Sequence, residues 1–349
     1  MQSLTNVERV LKAINRQEPD MIPTFEFDID KRVIDAIKPG LSYEDFCEYI
    51  DLDAACYFDM KGRKYEMIDE AKGIVRDEWG AIRRFTGAAQ FNPVPVEPAI
   101  KSENDLDSFV NADPDLPFRY KEIEQAVKRF KGKKAVIATV MDPFNTVKDS
   151  LRGEVDLFKD MIRNPDMIDR LNQFARDYHM RYVKNCIDIG VDIIWVTGDY
   201  AFTQGPMISP KHLERFITPG LKEIVQYCHG RGIPCLKHTD GNIWSIFDLI
   251  VETGVDAIHP IDPIAGMDIG EVKVKYGDKV CLMGNVECGS LLSWGTKDEV
   301  REAVKECIRK AGKGGGYVCT SSNSIHRAVN PENYVEMINA IREYGKYPL

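Results

Sequence analysis

Apolar positions along this chain follow two alternating rhythms. Short apolar or β-branched runs fall at residues 22–27, 54–59, 135–140, 193–197, 234–238, 256–259, 280–284 and 316–319. Longer stretches lie between most of them, with apolar residues returning every three or four positions, as at 210–230, 243–254, 296–311 and 331–344. Near-continuous apolar runs suit strands buried on both faces, and intervening helices suit parallel pairing. Eight such units predict an α/β fold, a closed (β/α)8 TIM barrel. A helix is expected before the first run. Thr5 and Glu8 have capping-box spacing, and Val7, Val10, Leu11 and Ile14 form an apolar stripe.

Two stretches break the rhythm. Residues 74–97 alternate like a β-hairpin, with Gly80 at the turn and Pro93, Pro95 and Pro98 beyond, and are expected as an insertion after the second strand. Residues 101–132 are charged and helical, broken at Pro114 and Pro117. No Gly/Ser-rich linker divides the chain, so residues 1–349 are expected to form one decorated domain. The competing architecture is an open doubly wound sheet, but no Gly-x-Gly-x-x-Gly follows the first strand.

Composition narrows the class. The chain has 349 residues, 44% hydrophobic and 29% charged, which is that of an ordinary globular protein. A net charge of −9 offers no bulk attraction to nucleic acid or to an anionic membrane. No apolar run approaches the roughly 18–20 residues that span a bilayer. The first residues carry no apolar signal core. Nine cysteines without a Cys-x-x-Cys pair read as reduced thiols, and the expected location is the cytoplasm.

Barrel enzymes place their chemistry at the C-terminal ends of the strands. The polar residues there include Glu26, Asp59, Asp199 with Tyr200, His238 with Asp240, His259, Asn285 with Glu287, and Cys319. Asp and Asn also suit turns and helix caps, so each carboxylate keeps that second reading. His238 and Asp240 stand two apart and leave one face of a strand. With Cys319 at the end of the last strand they supply imidazole, carboxylate and thiolate, a set competent for zinc with an open fourth position. The competing reading makes Cys319 a buried hydrophobe and His238 a hydrogen-bonding partner of a carboxylate. His326 and Arg327 follow the last strand and suit either a substrate anion or solvent. The glycines at 312–316 precede a strand, the wrong context for a phosphate loop.

The segment from Asp199 to Pro210, the Phe216-Ile217-Thr218-Pro219 run, Lys237-His238-Thr239-Asp240-Gly241-Asn242, Gly284-Asn285-Val286-Glu287 and Pro331-Glu332-Asn333 together resemble the uroporphyrinogen decarboxylase superfamily. The resemblance runs from about Val7 to the C-terminus. It implies a barrel with its site at the C-terminal mouth and two main activities: cofactor-free uroporphyrinogen decarboxylation, or zinc-dependent methyl transfer to or from a corrinoid protein. The decarboxylases carry an Arg-rich segment after the first strand, where this chain reads Phe25-Glu26-Phe27-Asp28-Ile29-Asp30. Asp59 does stand where their catalytic Asp is found. The methyltransferases carry His-x-Cys on the fifth strand and a Cys ending the eighth. His238 and Cys319 match, while Asp240 replaces the other Cys.

The resemblance therefore implies a corrinoid-dependent methyltransferase, with zinc on His238, Asp240 and Cys319 and cobalamin on a partner protein. The methyl group would come from a small methoxylated or methylated-amine compound. Asp199, Glu287 and Asp59 are the expected acid/base or positioning groups, and Tyr200, Asn285, His259 and Glu26 are expected to bind substrate. Uroporphyrinogen decarboxylation and methylcobalamin:thiol methyl transfer remain the alternative activities. A barrel that binds a corrinoid protein or small ligand without turnover is the non-enzymatic one. The superfamily makes a homodimer plausible.

Overall fold

The computed structural model describes residues 4–59, 63–86 and 93–349. The chain order of strands is β1 (Ala54–Tyr57), β2 (Tyr65–Asp69), β3 (Ile74–Asp77), β4 (Ile82–Arg84), β5 (Val94–Glu97), β6 (Ala135–Met141), β7 (Ile193–Thr197), β8 (Ala201–Phe202), β9 (Gly205–Pro206), β10 (Cys235–His238), β11 (Ala257–His259), β12 (Cys281–Val286) and β13 (Tyr317–Ser321). Seven of them form one parallel sheet in the order β1-β6-β7-β10-β11-β12-β13. Its register sets Ala54 beside Ala135, Ile137 beside Ile193, and His238 between Thr197 and His259.

The eighth position differs from the expected strand. Residues 22–29 run between the two edges of the sheet without forming a regular ladder. The Pro23 carbonyl accepts from Cys319 N–H at 3.1 Å, and the Thr24 carbonyl accepts from Asp53 N–H at 2.8 Å. Ile29 then bridges Ile325 in parallel. Proline has no N–H to donate, so Pro23 interrupts the ladder it would otherwise complete. The Thr24 N–H turns to the Asp53 carboxylate at 2.8 Å. The sheet is thus curled into a barrel-like ring of seven regular strands and one irregular segment.

Alternation along the strands divides the buried side chains into two cores. The inner one holds Phe25, Phe27, Ile137, Trp195, Leu236, Met283 and Val318. Val10, Ala13 and Ile14 of the helix Asn6–Ile14 join it, so this helix packs into the ring. Its start shows the full capping box between Thr5 and Glu8. The outer core packs helices against the other strand face and contains Cys235, Ile258, Leu282, Tyr317 and Cys319. The longest of those helices, Pro165–Ile189, stops at Gly190, whose φ of +106° is costly for any residue with a Cβ.

The insertion after β1 is larger than a hairpin. β3 and β4 pair antiparallel about Gly80, which has φ +93°, and β2 and β5 flank them to make a four-stranded sheet. Residues 87–92 of the expected hairpin lie outside the described residues. Arg83 fixes this sheet to the body. Its guanidinium donates to Asp77 at 2.7 Å and to Ser150 Oγ at 2.8 Å. Tyr65–Asp69 was missed because its only signal is a mixed polar run with little burial. Among the described residues no helix is long and apolar enough to cross a membrane.

Candidate metal centre

Strand alternation decides what reaches the mouth of the ring. Leu236 faces inward on β10, so His238 does too, and Ala257 places His259 inward on β11. The two rings meet, Nδ1 to Nδ1, at 2.8 Å. His259 Nε2 lies 3.2 Å from the Ser321 carbonyl oxygen, which can only accept. His259 therefore carries its proton on Nε2 and accepts at Nδ1, and His238 donates from its own Nδ1. A lone pair is left on His238 Nε2. Burial, and then the charge of Lys237, pushes His238 down to about 3, so the ring is neutral. Phe27 stacks on it with centroids 4.3 Å apart and planes 12° apart.

Two carboxylates face that lone pair. Asp199 Oδ1 and Asp240 Oδ1 each stand 3.7 Å from His238 Nε2. The three ligand atoms lie within 4.8 Å of one another. Asp199 is held by the Asp240 N–H at 2.9 Å, and Asp240 Oδ2 accepts from Asn323 Nδ2 at 2.6 Å. Asp240 Oδ1 is buried and has no hydrogen-bond partner among the described residues. Burial, then the negative charges of Asp199 and Asp262, pushes its carboxyl up to about 8. The Asp199 and Asp240 side chains keep 39% and 31% exposure against 6% for His238, so the group opens outward through its carboxylates.

An unshared imidazole lone pair, an orphaned carboxylate oxygen and two like charges in one corner are each relieved by a divalent cation. Around a tetrahedral zinc, donors about 2 Å from the metal stand roughly 3.3 Å apart, against 3.7 Å here from His238 Nε2 to each carboxylate oxygen. The residues fit a metal, and the donors are one nitrogen and two oxygens. His259 supplies the outer hydrogen bond that orients a metal-binding imidazole.

Other expected site residues are placed elsewhere. Cys319 neighbours the inward Val318 and so faces outward, into the helix layer with Tyr317 and Cys307, where burial raises its thiol far above the usual range. It does not join His238 and Asp240. Asp199 takes the third position in the group instead. Tyr200 is fully buried behind the sheet; its hydroxyl donates to Asp142, and Lys237 Nζ lies 3.9 Å from its ring centroid. Asn285 ties down the loop after β11, donating to the Ile261 carbonyl at 2.7 Å and accepting from Cys307 Sγ. Glu287 accepts from the N–H groups of Gly289, Ser290 and Leu291, which anchors the start of the short helix Leu291–Trp294. Both stand at the end of β12, where mouth residues are expected, but the side chain of Glu287 is engaged by its own loop and that of Asn285 by the loop after β11 and by Cys307.

Glu26 stands between inward Phe25 and Phe27 and turns away from the lumen to Ser321, whose hydroxyl donates to it at 2.5 Å. Burial pushes its carboxyl up to about 8. Asp59, at the end of β1, accepts from Met141 N–H at 3.2 Å and pairs with Arg63 at 3.5 Å, while its buried Oδ1 has no hydrogen-bond partner among the described residues. Asn323 and Phe27 carry no signal of a site role in the sequence. Asp262, which with His259 is among the polar residues expected at the strand ends, accepts from the Gly241 N–H at 3.0 Å and adds its charge beside Asp240.

The model of the uroporphyrinogen decarboxylase family matches residues 85–344, and the chain belongs to that family. It is 26% identical over 289 residues to the uroporphyrinogen decarboxylase of Vibrio cholerae, covering 78% of this chain and 76% of that one. It is 25% identical over 256 residues to the enzyme of the same name from Psychromonas ingrahamii, covering 70% and 69%. Among solved structures it is similar to a methyltransferase from Methanosarcina mazei, with a TM-score of 0.75 over 98% of this chain and 99% of that one. At 15% identity that likeness shows the shared fold.

Proposed function

We propose that this chain is a metal-dependent methyltransferase that moves a methyl group between a small methoxylated or methylated-amine compound and a corrinoid held by a partner protein. The observation that carries this reading is the convergence of His238 Nε2, Asp199 Oδ1 and Asp240 Oδ1 at the barrel mouth. A cofactor-free decarboxylase has no use for an imidazole tautomer fixed with its lone pair toward two carboxylates. Zinc, or a harder divalent ion suited to oxygen donors, would supply Lewis-acid pull on the oxygen or nitrogen that loses the methyl group. His259 holds the His238 ring in its binding tautomer, Asn323 fixes Asp240, and Phe27 covers the imidazole face.

Elemental analysis tests the reading. About one divalent ion per chain should co-purify, and Asp240→Ala or His238→Ala should lose it. Cys319→Ala should keep it, because its thiol lies behind the strand. The His238 variant should also stop methyl transfer from donor to cob(I)alamin. Protein that stays metal-free after dialysis against excess zinc would sink the proposal.

A second reading, uroporphyrinogen decarboxylation, is favoured by Asp59, a buried carboxylate whose Oδ1 has no hydrogen-bond partner among the described residues. Consumption of uroporphyrinogen by metal-free protein, abolished in Asp59→Asn, would select it.

A further inference from the structure

A cavity of about 230 Å³ lies between the end of β1, Arg63 and Lys64 ahead of β2, and the first turn of the helix Lys121–Phe130. Arg63 lines it. The Arg63 side chain is 6% exposed, yet its ion-pair partner among the described residues is Asp59 alone, at 3.5 Å. One contact that long uses little of a planar fork with five donors. Lys64 and Lys121 stand exposed at the rim, and Lys64 Nζ lies 4.4 Å from the Phe118 ring centroid. Arg119 also lines the cavity but is paired with Glu78. Among the described residues that line it, Glu122 is the only carboxylate. The lining is therefore cationic, in a chain whose net charge is −9. Phe58 and Phe118 supply apolar walls.

We propose that this cavity is a binding site for a carboxylate carried on a single planar apolar ring. The guanidinium fork matches a carboxylate in two-point geometry, and the lysines add attraction at the rim. A free phosphate would meet the cations but make no use of the apolar walls. The volume is below the roughly 300 Å³ at which drug-sized pockets begin, so one ring is the size that fits. The cavity borders the metal centre: Phe58 meets Phe27 with ring centroids 4.8 Å apart, and Phe27 stacks on His238. This inference goes beyond the proposed methyl transfer and requires neither metal nor turnover.

Calorimetric titration of the full chain with benzoate, acetate and inorganic phosphate tests it. One benzoate per chain is expected, bound more tightly than acetate or phosphate and weakening as salt is added. Arg63→Met and the double variant Lys64→Met, Lys121→Met should each weaken benzoate at least about tenfold. Because Arg63 is buried, the double variant on the exposed rim decides the matter if the Arg63 variant fails to fold. Absence of benzoate binding at millimolar concentration overturns the assignment. So does binding unchanged in the rim variant, or phosphate binding more tightly than benzoate.

Discussion

His238 shows a lone pair to its two acidic neighbours because a backbone carbonyl two groups away fixes the proton order. The chain Ser321 C=O, His259, His238 has one consistent assignment once both rings are neutral. Replacing Asp240 by Cys would keep the charge and put a softer donor in the group. Asp240→Cys should retain zinc, slow methyl removal from an oxygen or nitrogen donor, and assist a thiol acceptor. Zinc content and the two half-reactions, measured separately, check this; faster donor demethylation at full zinc occupancy would contradict it. Glu26 gives a pH prediction. Its folded-state pKa of about 8 lies above the usual 4.5, so the folded chain holds a proton that the unfolded chain releases. Its contribution is complete below about pH 4.5 and is lost as pH rises through about 8, at up to ~1.4 kcal/mol per pH unit. Glu26→Gln should therefore gain stability relative to the parent between pH 5 and about pH 8. Denaturant melts of both proteins across that range measure the difference; parallel curves would show that Glu26 keeps its charge in the fold.

At the scale of elements, the capping box at Thr5 is open to a direct test. Thr5→Ala should cost about 1 kcal/mol, and a variant within about 0.3 kcal/mol of the parent in urea melts would show that packing of Val10, Ala13 and Ile14 alone sets the helix. This helix and seven of the eight runs were legible in the sequence, because buried parallel strands and amphipathic helices carry their patterns in hydrophobicity. The first run was apolar enough to suggest a strand, but Pro23 denies it a ladder. The site was partly legible. His238 and Asp240 share a face by simple alternation, and the same rule turns Cys319 outward once Val318 is known to face in. That parity could not be fixed from an all-apolar run, where both faces are buried. Asp199 follows β7 in a loop, whose direction no periodicity reports. For Asn285 and Glu287, at the end of β12, the sequence does not report their hydrogen bonds, because a polar residue at a strand end reads alike whether it serves substrate or neighbouring backbone.

The whole molecule is a ring whose closure depends on residues 22–29. Its two edge strands never bond each other; Pro23 and Thr24 each lend a carbonyl to one of them. A hoop joined by a clasp opens at the clasp. Amide exchange at Cys319 and Asp53 should be faster than at the matching central positions of β7 and β10, where strand pairs with strand. The clasp also carries Phe27, pressed against His238, and Glu26, bonded to Ser321. An ion gripped by His238 would hold the latch shut from inside. Exchange at those two amides should slow when zinc is added, and equal rates with and without the metal would show that the ring closes independently of its cargo. On this view the mouth and the fastening are one device, and a barrel of this kind guards its own opening with what it binds.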